Sequence, residues 1–288
     1  MGFLLAFGNA FFESLRDAAA KMNGRRESAT AVAWGGRLWV TLIALPLAWI
    51  SNARWPTTLD FWGATSVTVS INIVTSILYV RALQRAPLSL ALPMLQLSPV
   101  FLLITAPWIT GELPTPLGIG GVISTAIGTY VLNLGERSRG LFAPWASLAT
   151  HPGTRSMLIV AILWSVSAPF DKRAVLASSP MVFIAISSAA ITLGLTGVLI
   201  VRRQIGNVAR GPTIARLGSV GLPSALSSIC QMRALLVLDV PTVIAIKRSS
   251  ALFGALWGRW WFAEPVPPSR AIGLIIVLAG MIAILFSR

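Results

Sequence analysis

Apolar residues in this chain come in long blocks, not in alternation. Runs of roughly 17–24 mostly apolar residues are separated by short polar breaks, a length that suits helices crossing a ~30 Å hydrocarbon core. They predict helices over 2–20, 30–50, 61–82, 88–109, 116–135, 154–175, 180–201, 214–236, 240–262 and 269–287. The two-residue alternation of a membrane β-barrel is absent. The first run has no basic leader and no small-residue cleavage site, so it is expected to stay as a helix.

Composition agrees. The chain is 55% hydrophobic and only 11% charged, with a mean hydropathy of +0.78, whereas a soluble domain carries about 25% charged residues. The net charge of +14 comes mainly from basic residues in short loops, where they meet anionic lipid and set topology. No long basic tract exists to hold nucleic acid, so the bilayer is the expected partner. Basic residues concentrate in the loops after the odd-numbered spans, among them Lys21, Arg26, Arg81, Arg137, Arg139, Arg202, Arg203 and Arg210. That bias puts those loops in the cytoplasm and both termini outside. Arg outnumbers Lys by 20 to 3, a bias often genomic, and a bacterial inner membrane is the expected location.

The chemistry available is narrow. One cysteine (Cys230) and one histidine (His151) exclude a His/Cys metal cluster. G-x-S-x-G and H-E-x-x-H are absent, and so is the ATP-binding pattern G-x-x-x-x-G-K-[ST]. The expectation is a protein that is not an enzyme, needs no cofactor, and draws any work from gradients.

The blocks also repeat. Residues 81–134 read against 233–286 at a constant offset of 152: Arg81-Ala82-Leu83 meets Arg233-Ala234-Leu235, Ser98 meets Ser250, Phe101 meets Phe253 and Trp108 meets Trp260. Glu112 meets Glu264, Pro116 meets Pro268, Gly121 meets Gly273 and Gly128 meets Gly280. Five spans per copy is an odd number, so two similar copies in series must lie in opposite orientations. The expected fold is an all-α membrane protein of ten transmembrane helices, built as two inverted five-helix repeats. The repeats are placed at 1–140 and 154–288, with a linker at 141–153. One chain supplies both copies, so a monomer is sufficient.

The repeat unit resembles a known family. Arg-Ala-Leu, a Pro-rich span (Pro87, Pro93, Pro99), Gly111-Glu112 and a Gly-spaced last span are followed in the second copy by Lys247-Arg248-Ser249-Ser250-Ala251-Leu252-Phe253, Ala263-Glu264-Pro265 and Gly273 through Gly280. This is similar to the EamA-type repeat of the drug/metabolite transporter superfamily. The resemblance implies ten helices and transport of small metabolites, usually export, without naming a substrate. Glu13 and Lys21, eight residues apart, resemble the small multidrug resistance branch, where the Glu binds protons and cationic drugs. Its second-copy counterpart is Trp164, not an acid.

Charged residues inside a bilayer cost roughly 2.5–3.5 kcal/mol each on insertion scales, so each retained one needs a reason. Lys247 and Arg248 lie mid-way along the ninth span. They are either an anion-binding pair, which phosphate-translocating members of the superfamily resemble, or partners for Asp171, Glu13 or a backbone carbonyl. Glu13 is either a proton-coupling carboxylate or the i,i+3 partner of Arg16. Arg37 is either a cavity cation or a structural partner. Asn72 and Gln96 serve as interhelical glue or line the cavity, and Trp164 packs or lines it. Tyr79 and Gln231 are equivalent at offset 152 and read as symmetric gate residues. Pro93, Pro99 and Pro223 are expected to bend their helices. Glu112 and Glu264 read as helix-end stabilisers, and Gly254-x-x-x-Gly258 as a close-approach surface.

The expectation is a secondary transporter working by alternating access on a small anionic or zwitterionic metabolite such as an amino acid or an organic or phosphorylated acid. Its two halves would enclose a central cavity. A proton-coupled exporter of cationic or aromatic drugs that uses Glu13 is the alternative within transport. A structural or sensory membrane protein is the alternative outside it.

Overall fold

Serine opens the second helix of each repeat at equivalent positions. Ser28 Oγ accepts the Ala31 N–H at 3.3 Å, and Ser179 Oγ accepts the Val182 N–H at 3.3 Å, each satisfying one orphan donor of a first turn. Asp239 does the same for the Thr242 N–H at 2.9 Å. A computed structural model of the chain describes residues 1–24, 26–51, 55–86, 88–134, 141–262 and 269–287.

The elements are α1 (Gly2–Asn23), α2 (Ala29–Ile50), α3 (Leu59–Arg85), α4 (Leu88–Leu95), α5 (Ser98–Thr110), α6 (Pro116–Asn133) and α7 (Ala143–Thr150). They continue with α8 (Pro152–Leu176), α9 (Pro180–Val201), α10 (Ile205–Val208), α11 (Gly211–Leu235), α12 (Val240–Arg248), α13 (Ser250–Phe262) and α14 (Ser269–Phe286). No strand occurs among the described residues. Adding 152 to the bounds of α3, α4 and α5 gives those of α11, α12 and α13 to within two residues. The helix α7 lies at the join between the two copies, and the short α10 lies within the second.

Among the described residues, five segments are long and apolar enough to cross a membrane: Ala29–Ile50, Leu59–Ala82, Leu90–Thr110, Pro152–Leu176 and Pro180–Val201. Pro116–Leu132 and Ile272–Phe286 are apolar but shorter. Trp49, Trp55, Trp62, Trp108 and Trp260 are exposed, as headgroup anchors are.

Two expectations about single helices need correction. The fourth and ninth spans are not continuous bent helices. Each is broken into two, at Gln96–Leu97 and at Ser249. At the first break the Gln96 and Leu97 N–H groups turn to the Pro93 and Met94 carbonyls, and at the second Ser249 N–H turns to Ile246. These i→i+3 bonds tighten the turn and end each α-ladder. Pro99 then lies in the first turn of α5, where its missing N–H costs nothing. Pro223, by contrast, lies inside α11, which runs on past it.

The chain divides into two compact units, Met1–Val80 with Phe170–Val237, and Arg81–Pro169 with Leu238–Arg288. Each draws on both repeats, and the boundaries fall inside α3 and α8. In the first unit α1 packs on α11, and α2 packs on α9 and α11. Its core holds Val32, Trp34, Ile191, Leu195, Leu199, Leu217 and Val220. Glycine lets α2 and α11 approach: a Cβ on Gly35 would lie 2.4 Å from the Leu217 side chain, and one on Gly221 2.1 Å from Trp39.

In the second unit α6 packs along α14, and α12 packs on α5 and α6. Gly121 faces Gly280, where an added Cβ would lie 2.7 Å from the Gly280 carbonyl oxygen. Gly128 faces Gly273, where a Cβ would lie 2.9 Å from the Gly273 oxygen. Position rises along α6 as it falls along α14, so the two helices run antiparallel. The repeat equivalents are crossed: the first glycine of one helix meets the second of the other. Of the expected Gly254-x-x-x-Gly258 surface, a Cβ on Gly254 would meet nothing within 4 Å among the described residues, and the surroundings of Gly258 lie outside them.

Candidate functional site

The candidate residues sort into two groups, one in each compact unit. In the second unit the two helix breaks touch. Arg248, the last residue of α12, is 4% exposed and donates its Nε–H to Ser98 Oγ at 2.9 Å. Ser98 is the first residue of α5. The guanidinium carbon lies 5.5 Å from the centroid of the Trp164 ring, within cation–π range. One helix break thus supplies the cation, the other its hydroxyl acceptor, and α8 supplies an aromatic wall.

This geometry changes the expected setting of the basic pair. Lys247 and Arg248 are not mid-helix. They form the last turn of α12, where the negative end of the helix dipole favours cations. Lys247 is half-buried and Arg248 buried, so Arg248 is the more committed of the two. Gln96 occupies the position equivalent to Arg248 and is 5% exposed. Its Oε1 is buried without a hydrogen-bond partner among the described residues, a costly state.

In the first unit the polar groups form two short chains. Arg16 Nη2 reaches Glu13 Oε1 at 3.0 Å and Asp17 Oδ1 at 2.7 Å, so one guanidinium is shared by two carboxylates on α1. Glu13 is 2% exposed. Separately, Arg37 Nη2 donates to Asn72 Oδ1 at 3.3 Å, Asn72 Nδ2 donates to the Thr68 carbonyl at 3.0 Å, and Thr68 Oγ1 donates to Asp171 Oδ1 at 2.8 Å. Arg16, Asp171 and Glu13 all lie within electrostatic reach of Arg37, and Tyr79 within reach of Arg16. Gln231 is buried on α11.

Three residues that sequence reasoning passed over as site members enter here. Asp171 is 9% exposed and is a second buried carboxylate in the unit that holds Glu13. Its signal was present as an acid inside the apolar span 154–175, next to the basic Lys172 and Arg173. Thr68 carried no signal. Ser98 did, as a polar identity within the repeat. Trp34, deep in the second span, belongs to the packing core, with its Nε1–H on Thr196 Oγ1 at 2.8 Å. Glu112 follows the left-handed Gly111 that ends α5. Glu264, Pro268, Arg137 and Arg139 lie outside the described residues.

The profile of the EamA-like transporter family matches the chain twice, over residues 1–134 and 152–286. Among solved structures, one crystal structure of a protein superposes with a TM-score of 0.79, covering 100% of this chain and 97% of the other at 16% identity. That likeness is one of fold. No curated protein matches the chain.

Proposed function

Because the chain belongs to the EamA-like transporter family, we propose that it is a secondary active exporter of a small anionic or zwitterionic metabolite, working by alternating access. Ten spans in two inverted repeats would carry the cycle in a bacterial inner membrane. The crossed glycine pairs of α6 and α14 support the inverted relation, since a twofold axis pairs equivalent residues in that way.

The observation that carries the substrate class is Arg248. A buried guanidinium at the end of a broken helix, oriented by Ser98 and Trp164, is a planar donor fork suited to a carboxylate or phosphate. Helix breaks at corresponding positions of two repeats are where transporters of this architecture expose backbone and charge to substrate. Arg37, Asn72, Tyr79 and Gln231 serve the translocation path in this reading, and Glu13 couples the cycle to protons.

The test is thermal stabilisation of the purified protein by a panel of anionic, zwitterionic and cationic metabolites, with Arg248→Gln and Lys247→Ala alongside. Ligand at 100 times its Kd adds about 2.7 kcal/mol of apparent stability. Stabilisation by carboxylates that disappears in Arg248→Gln is the expected result. Stabilisation by hydrophobic cations, indifferent to both variants, would replace this reading with a drug exporter centred on Glu13.

A further inference from the structure

Two ion pairs of the first unit join the repeats to each other, one at each end of α2. Arg216 Nη2, in the second turn of α11, reaches Glu27 Oε1 at 2.6 Å, in the turn just before α2. Arg173, in the last turn of α8, pairs with Asp60, in the first turn of α3 and just past the loop that follows α2. The 22 residues of α2 lie between them, a length of roughly 33 Å at 1.5 Å per residue. Each ion pair has a hydrogen bond deeper between the same two helices. Asn23 Nδ2 donates to Ser219 Oγ at 3.1 Å between α1 and α11, and Thr68 Oγ1 donates to Asp171 Oδ1 at 2.8 Å between α3 and α8. The two corners are equivalent. Each joins the end of the first helix of one repeat to the start of the third helix of the other, and Pro212, the repeat equivalent of Asp60, lies one turn before Arg216. The signs are exchanged: the third helix carries the base at one corner and the acid at the other.

Both pairs are partly open to solvent, with side chains 37% and 16% exposed for Arg216 and Glu27, and 40% and 48% for Arg173 and Asp60. Pairs so exposed add little to folding and are made and broken cheaply. Their leverage lies elsewhere. A contact present in one of two states and absent in the other shifts the balance by its whole strength, about two- to fivefold for an exposed pair. In an inverted repeat the opposite-facing state follows when the two copies exchange shapes. Whatever one corner does at one end, its equivalent then does at the other end in the opposite half of the cycle. We propose that Glu27–Arg216 and Asp60–Arg173 are reciprocal latches, each holding its own end of the first unit together and each released while the other is made. This rests on the alternating-access reading above and names the contacts that set its balance. Both latches are made in this structure, and loss of either charge pair tips the population toward the state in which that end is apart.

The test reads distances at both ends of the full chain in nanodiscs, by pulsed dipolar spectroscopy of spin labels. The native cysteine is removed by Cys230→Ser. One label pair, at Met22→Cys and Ala215→Cys, reports the Glu27–Arg216 end, and another, at Leu59→Cys and Leu176→Cys, reports the Asp60–Arg173 end. All four positions are exposed. Glu27→Gln should raise the ratio of long to short distances at the first end by about two- to fivefold, the range of an exposed pair, and lower it at the second. Asp60→Asn should do the reverse. The exchange Glu27→Arg with Arg216→Glu should restore the native distribution, which a merely local disturbance would not do. Widening of the altered end alone, of both ends together or of neither overturns the latches. If Glu27→Gln does not fold, Asp60→Asn and Arg173→Gln decide by the same two distances. Ligand stabilisation of the same labelled proteins judges the transporter reading separately. Ligand binding without reciprocity overturns the latches alone, and absence of both overturns both.

Discussion

Arg248 ends α12 with its Nε–H on Ser98 Oγ at 2.9 Å, so the last residue of one half-helix is held by the first residue of another. The two belong to different repeats but to the same compact unit. Hydrogen bonds to charged groups contribute about 1.5–3 kcal/mol, and orphaning a buried donor costs a similar amount. Ser98→Ala should therefore weaken ligand binding by about tenfold through loss of orientation, with the Arg248 charge still present. Arg248→Lys should fare worse, because an ammonium cannot reproduce a planar fork. Equilibrium binding to the three proteins checks the order. Equal affinity in Ser98→Ala and the native chain would mean that the hydroxyl does not position the guanidinium.

Glu13 shares Arg16 with Asp17, so removing its charge leaves Arg16 one carboxylate. Glu13→Gln should fold and bind ligand. In proteoliposomes it should lose accumulation driven by an imposed pH gradient while keeping ligand exchange. Accumulation that survives the substitution would reduce Glu13 to a structural partner of Arg16.

Asp171 accepts from Thr68 at 2.8 Å, at the end of the chain that starts at Arg37. Asp171→Asn retains an acceptor but removes the negative charge within reach of Arg37. The expected outcome is a fall in stability of about 1–3 kcal/mol, the cost of disturbing a buried charged network. Thr68→Val should lose less, since the carboxylate then keeps its charge. Thermal midpoints of the two variants decide, and a more damaging Thr68→Val would place the weight on the hydroxyl.

Adjacent glycines on α6 make a sharper comparison. A methyl on Gly121 would lie 2.7 Å from the Gly280 carbonyl oxygen, whereas one on Gly120 would meet nothing within 4 Å. Gly121→Ala should destabilise by about 1–3 kcal/mol through overpacking against backbone, and Gly120→Ala should be neutral or slightly stabilising. Denaturation in detergent of the two variants measures this. Equal midpoints would show that the α6–α14 contact yields more easily than its geometry implies.

The apolar blocks and the repeat were legible because length and spacing are properties of the chain alone. The break at Ser249 was not. Residues 247–250 contain neither Pro nor Gly, and the interruption comes from local bonds, with Ser249 Oγ donating to the Ile246 carbonyl at 2.6 Å. A serine that competes for helix carbonyls leaves no mark in hydropathy. The first break was half-read: Pro93 and Pro99 were visible, but they mark a gap and not a bend. Gly121, Gly128, Gly273 and Gly280 were seen as landmarks of likeness. Likeness does not say which residue touches which, and the contacts turned out to be crossed. Trp34 shows the opposite case: an indole deep in a span reads more readily as packing than as cavity wall, and its neighbours are core residues.

The compact units, which interleave the repeats, set an order on the birth of the molecule. The first unit contains residues up to Val80 and then nothing until Phe170, and it ends at Val237. The second cannot be completed before α14 is made. Helices emerging at ~5–20 residues per second must therefore wait in the bilayer for several seconds with their partner faces uncovered. Those faces include the glycine surface of α6, whose counterpart on α14 is translated only after the intervening helices. Nascent chains of this protein should be most vulnerable to mispairing and proteolysis between the synthesis of α6 and that of α14, and should gain protection only when α14 is inserted.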